Sequence, residues 1–104
     1  MTNSRIDILK GMIAQDPSSA FARYGLAMEL VKASQFEEAM TEFKALLAVN
    51  PGYSAAYFHG GQTLEKMGRA EDAKAFYRDG IEATTRNGDG HTRSELQAAL
   101  DMLG

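Results

Sequence analysis

The sequence predicts an all-α fold of about six helices, each antiparallel to its neighbour, and three observations predict it. Apolar residues recur at helical spacing through nearly every segment, without the sustained alternation that a strand requires. The two prolines, Pro17 and Pro51, stand 34 residues apart, which is a repeat period. The breaks between periodic segments are a few residues long, so each helix returns beside the one before it.

In the first segment Ile6, Leu9 and Ile13 share a face, and Ser4-x-x-Asp7 resembles a capping box, giving a helix over residues 4–15. Pro17 stops it, because proline disfavours helical geometry in the preceding residue, and Ser18 or Ser19 can cap the next helix. Residues 20–33 carry Ala22, Leu26, Ala27 and Leu30 on one side and break at Ser34-Gln35. Residues 36–49 carry Ala39, Phe43, Leu46 and Leu47, and end at Asn50-Pro51-Gly52. Residues 53–67 repeat the pattern through Tyr57, Gly61 and Leu64, with Gly68 as the left-handed closing residue. From Ala70 to about Thr85 the buried line is Ala73, Phe76, Tyr77 and Ile81, and the cluster from Arg86 to Gly90 forms a turn. Thr92-x-x-Glu95 reads as the capping box of a last helix whose stripe is Leu96, Ala99, Leu100 and Leu103.

Composition bounds the chemistry. The chain has 104 residues, 44% hydrophobic and 24% charged, with 11 basic against 14 acidic side chains and a formal net charge of −3. That is one domain, residues 1–104, of ordinary globular composition. A chain this short buries roughly two thirds of its unfolded surface, which argues against a deep active-site cavity. The absence of cysteine excludes disulfides, thiol nucleophiles, iron–sulfur clusters and cysteine-based zinc sites. Only His59 and His91, far apart in sequence, remain as histidine ligands, so neither a metal nor another cofactor is expected. The mildly acidic balance provides no footprint for nucleic acid or anionic lipid. No apolar run approaches the roughly 18 residues of a membrane span, and residues 1–10 lack a signal-peptide core. A soluble cytoplasmic protein, complete from Met1 to its closing helix, is the expectation.

Sliding the sequence by 34 pairs Ala22 with Ala56, Leu30 with Leu64, Lys32 with Lys66, and Glu37-Glu38-Ala39 with Glu71-Asp72-Ala73. It also sets Phe43-Lys44 over Tyr77-Arg78, and places Leu9-Lys10 and Asp16-Pro17 under Phe43-Lys44 and Asn50-Pro51. Such a unit resembles the tetratricopeptide repeat. With Ala20 and Ser54 as first positions, the family's small eighth residue falls on Ala27 and Gly61, and its large eleventh on Leu30 and Leu64. Its alanine at position twenty falls on Ala39 and Ala73, and its aromatic at position twenty-four on Phe43 and Tyr77. Small residues at these places let paired helices approach closely. The resemblance implies antiparallel helix pairs stacked as a short right-handed superhelix. Residues 1–17 would be a half unit, 20–53 and 54–87 two units, and 91–104 a capping helix. The second unit departs from the first, with Tyr57 for Arg23, Gly60 for Leu26 and Gly80 for Leu46, and it has Thr85 where a third proline would fall.

The function implied by the resemblance is a non-enzymatic adaptor or scaffold that holds a partner's peptide or helix in a concave groove. The groove positions carried over are Phe21, Tyr24, Met28, Val31 and Lys32, then Ala55, Phe58, Gln62, Glu65 and Lys66, with His59 beside them. The first set is strongly apolar. It can anchor a partner through Phe21 and Tyr24 with Met28 as an adaptable contact, or it can be covered by a terminal helix or by a second copy in a homodimer. Chaperone-tail binders of the family clamp a terminal carboxylate with Lys and Asn at positions five and nine. Tyr24 and Met28 stand there, so that clamp is not expected. A small enzyme or metal carrier would rest on His59 and His91 alone. His59-Gly60-Gly61 lacks the Lys-Ser/Thr ending of a phosphate loop, Gly88-Asp89-Gly90 lacks the alternating oxygen ligands of a calcium loop, and Glu37-Glu38 complements a helix dipole.

Overall fold

Each break anticipated from proline, glycine and serine ends a helix in the computed structural model, which describes residues 4–104. Among these residues there are six helices and no strand: α1 (Ser4–Gln15), α2 (Ala20–Lys32), α3 (Phe36–Val49), α4 (Ser54–Lys66), α5 (Ala70–Asn87) and α6 (Gly90–Met102). The cap expected of the Ser4 side chain lies outside what is described. Ser19, not Ser18, caps α2, its hydroxyl accepting a hydrogen bond from the Ala22 N–H at 3.2 Å. Ser18 instead bonds the Asp16 carboxylate.

The ends of α2 and α4 are built alike, 34 residues apart. The Gln35 N–H reaches the Leu30 carbonyl at 2.8 Å, and the Arg69 N–H reaches that of Leu64 at 2.9 Å. Both turns need a left-handed residue, which is Gly68 at φ 75° in one and Ser34 at φ 59° in the other. A side chain in that region costs about 1 kcal/mol or more, a penalty glycine escapes. Ser34→Gly is therefore expected to raise the thermal midpoint by roughly 4–8 °C, measured by calorimetry.

Two boundaries differ from the sequence expectation. Helix α5 continues past Thr85 to Asn87 and is closed by Gly88 at φ 76°. Its extra turn is held by the Arg86–Glu82 ion pair at 3.1 Å and by the Asn87 amide, which donates to the Gly52 carbonyl at 3.2 Å. Helix α6 opens at Asp89 rather than Thr92. The Asp89 carboxylate accepts from the Thr92 N–H at 3.1 Å, so Thr92 lies inside the first turn and forms no capping box with Glu95.

Successive helices pack against one another, and α4 also touches α2 and α6 along one side of the stack. Among the described residues, the backbones of α1, α3 and α5 stay more than 8 Å apart. The stack therefore curves, with α2, α4 and α6 on its concave side. Between the layers lies a continuous core in which Leu30, Phe43, Leu46, Tyr77 and Leu96 are fully buried. Burying side chains of this size stabilises by about 1.5–3 kcal/mol each.

The departures of the second unit compensate one another. Arg23 and Glu42 form an ion pair at 2.9 Å, whereas the residues 34 further on, Tyr57 and Phe76, bring their rings together at a tilt of 59° with centroids 6.3 Å apart. Arg23 also donates to the Pro17 carbonyl at 3.0 Å, and the Tyr57 hydroxyl donates to that of Pro51 at 2.6 Å. One pair of positions thus joins the two helices and pins the preceding loop by different chemistry. The larger aromatics need room, and glycine supplies it: a Cβ on Gly60 would lie 2.4 Å from the Phe76 ring, and one on Gly80 2.6 Å from the Tyr57 Cβ.

Candidate functional site: the concave face

Helical spacing puts every third or fourth residue of α2, α4 and α6 on the concave side, and two adjoining hollows open there. The first, about 260 Å³, lies between α2 and α4 and is lined by Met28, Val31, Lys32, His59, Gln62, Thr63 and Lys66. The second, about 360 Å³, lies between α4 and α6 and is lined by Phe58, Gln62, Glu65, Tyr77, Glu95, Ala98, Ala99 and Met102. Gln62 belongs to both, so the two form one groove crossing the three helices.

Of the residues carried over from the resemblance, Met28, Val31, Lys32, Phe58, His59, Gln62, Glu65 and Lys66 line this groove. Phe21, Tyr24 and Ala55 line neither hollow. Phe21 stands 71% exposed near the start of α2. Tyr24 is half-buried, its ring 5.3 Å from that of Tyr53, 6.0 Å from His59 and 6.5 Å from Phe43. It supports the floor more than it contacts a visitor, and burial pushes its hydroxyl pKa up. Neither terminal helix lies across the α2–α4 hollow: α1 packs on α2 from the other layer, and α6 makes no contact with α2.

The α6 side of the groove is absent from the residues carried over. Ala98, Ala99 and Met102 form an apolar wall there, with Met102 88% exposed. Because α6 starts 36 residues after α4, a strict period of 34 does not place them. The apolar stripe of the last helix points to Ala99 alone.

Charge is distributed unevenly along the groove. Lys32 and Lys66 flank the α2–α4 hollow; Lys32 is shared with Glu29 at 3.7 Å, and Lys66 makes no ion pair among the described residues. Glu65 and Glu95 flank the α4–α6 hollow. The buried Tyr77 donates its hydroxyl to the Glu65 carboxylate, and burial, followed by that bond, raises the tyrosine pKa strongly. Phe43 and Val31 are the residues 34 earlier, so this polar link belongs to the second pair only. His59 lines the α2–α4 hollow with its ring 5.4 Å from that of Phe58, and burial lowers its pKa below the ordinary histidine value.

On the convex side a crevice of about 430 Å³ separates α3 from α5. Its rim is charged, with Lys44, Asp79, Glu82 and Arg86, and Glu82 and Arg86 already pair with each other. Among the described residues no group of three or more metal-ligating side chains comes together, and no helix is long and apolar enough to cross a membrane.

Comparison with known proteins agrees with this architecture. A tetratricopeptide repeat domain protein from Salinibacter ruber, solved by NMR, is 35% identical; the match covers 85% of this chain and 89% of that one, with a TM-score of 0.79. Protein BPP2914 from Bordetella parapertussis is 29% identical, covering 99% of this chain and 89% of its own, with a TM-score of 0.82. The Yersinia enterocolitica type III secretion translocator chaperone SycD shares the fold at a TM-score of 0.86 with 12% identity, over 94% of this chain and 68% of that one. Among curated proteins, the ER protein translocation subcomplex subunit sec67 of Schizosaccharomyces pombe is 38% identical over 60 residues, 55% of this chain. The match spans only 31% of that relative's length. The model of the tetratricopeptide repeat matches residues 30–100, well over half of the sequence. With the period, the helix pairs and the small-residue contacts all in agreement, this chain belongs to the tetratricopeptide repeat family.

Proposed function

We propose that the chain is a protein–protein interaction module whose concave groove holds a short segment of a protein partner, and that it works by binding rather than by catalysis. The observation that carries this reading is the continuous groove itself, which is lined by the apolar Met28, Val31, Phe58, Ala98 and Met102 together with the shared Gln62 and two pairs of charged side chains. Apolar contacts interspersed with charged groups are what a recognition surface offers. Family membership supports a binding role, and the sec67 relative is, by its description, a subunit of a multi-protein complex.

Gln62 provides the test, since it is exposed and common to both hollows. Gln62→Trp is expected to fill the groove without disturbing the core and to lower partner affinity tenfold or more. Glu82→Trp, on the convex crevice, is expected to leave affinity unchanged. Partners recovered on immobilised wild-type chain and quantified by mass spectrometry should be lost with the first variant only; equal recovery on both would refute the groove.

A further inference from the structure

The groove has an electrical direction, and this restricts its occupant. Two ammonium groups, Lys32 and Lys66, flank the α2–α4 hollow, and two carboxylates, Glu65 and Glu95, flank the α4–α6 hollow. Each hollow also has apolar lining, Met28 and Val31 on one side of Gln62 and Phe58, Ala98 and Met102 on the other. Packed helices lie about 8–10 Å apart, so the two hollows are separated by roughly that distance. An extended segment in polyproline-like geometry advances about 9 Å in three residues and returns side chains i and i+3 to the same face. A helix would need about six residues to cover the same distance.

Resting on the groove reading above, we propose that the occupant is an extended internal segment of a protein partner with an acidic side chain three residues from a basic one and apolar residues between them. The acidic side chain sits over Lys32 and Lys66, and the basic one over Glu65 and Glu95. Of the two intervening residues, which this geometry turns to either side of the face that carries i and i+3, one reaches the groove wall at Phe58 and Met102 and the other faces solvent.

The test uses four peptides, acetylated and amidated to remove terminal charges, with the cores Glu-Leu-Leu-Arg, Glu-Leu-Leu-Glu, Arg-Leu-Leu-Arg and Gln-Leu-Leu-Gln. Each is titrated into ¹⁵N-labelled protein at low salt while amide shifts are followed. The mixed-charge peptide is expected to bind at least threefold more tightly than the other three, with shifts centred on Gln62. In Lys32→Glu/Lys66→Glu, whose replaced side chains are exposed, the Arg-Leu-Leu-Arg peptide becomes the tightest. Equal binding of all four at groove amides overturns the charge order and leaves the groove reading intact. Failure of every peptide to shift groove amides overturns both.

Discussion

Gly80→Ala is expected to lower the thermal midpoint by roughly 10 °C, although alanine is the better helix former by up to about 1 kcal/mol. The added methyl would lie 2.6 Å from the Tyr57 Cβ and 2.9 Å from the Leu96 Cδ1. Tyr57 Cβ is fixed to the backbone of α4, so no rotamer change relieves the contact and α4 must separate from α5. Leu96 is fully buried, so its side chain must also shift within a packed surrounding. Overpacking costs about 1–3 kcal/mol and occasionally more; a contact fixed to the backbone belongs at the upper end, about 3 kcal/mol, and subtracting the propensity gain leaves a net loss of about 2 kcal/mol. Gly11→Ala is the control, because nothing lies within 4 Å of its Cβ position; the same chemical change there should stabilise by up to about 1 kcal/mol. Denaturant melts of the two variants should move in opposite directions. Equal stabilisation by both would mean that the second pair is not packed as described.

Arg23→Ala should cost about 2 kcal/mol by the same measurement. Its guanidinium lies 2.9 Å from Glu42, the two side chains are only 18% and 19% exposed, and it also donates to the Pro17 carbonyl at 3.0 Å. Charge-assisted bonds in such partly buried settings contribute about 1.5–3 kcal/mol, and removal of one partner leaves the other carboxylate shielded from water without compensation. The comparison is Arg86→Ala, whose ion pair to Glu82 is 61% and 75% exposed and should contribute well under about 1 kcal/mol. A double-mutant cycle of Arg23 and Glu42 should give a coupling of about 1–2 kcal/mol, and a coupling near zero would remove the ion pair from the account.

The helices were legible because each carries its own stop. Pro17, Pro51 and Gly68 end or separate helices by restricting or freeing backbone dihedrals, a local effect that needs no tertiary information. The last two boundaries were not legible for the opposite reason. Asn87 reads as a turn former, yet its side chain is used by Gly52 and Ser54, residues distant in sequence that the fold brings to it. Gly60 and Gly80 read as departures from the repeat until the Tyr57–Phe76 ring contact shows what fills the space. The groove divides similarly. Positions on α2 and α4 follow from the resemblance to the repeat family, with Tyr24 turning inward because Tyr53, Phe43 and His59 surround it. The α6 wall follows only from the three-dimensional stack, since the spacing from α4 to α6 breaks the period.

The central claim is that the concave face, and not the convex crevice, receives the partner. A photo-crosslinking amino acid placed singly at Gln62, Met102, Lys44 or Glu82, and activated in an extract of the native cell, tests it directly. Covalent adducts with a partner protein are expected from Gln62 and Met102, which line the groove, and none from Lys44 and Glu82. Adducts confined to Lys44 and Glu82 would contradict the account.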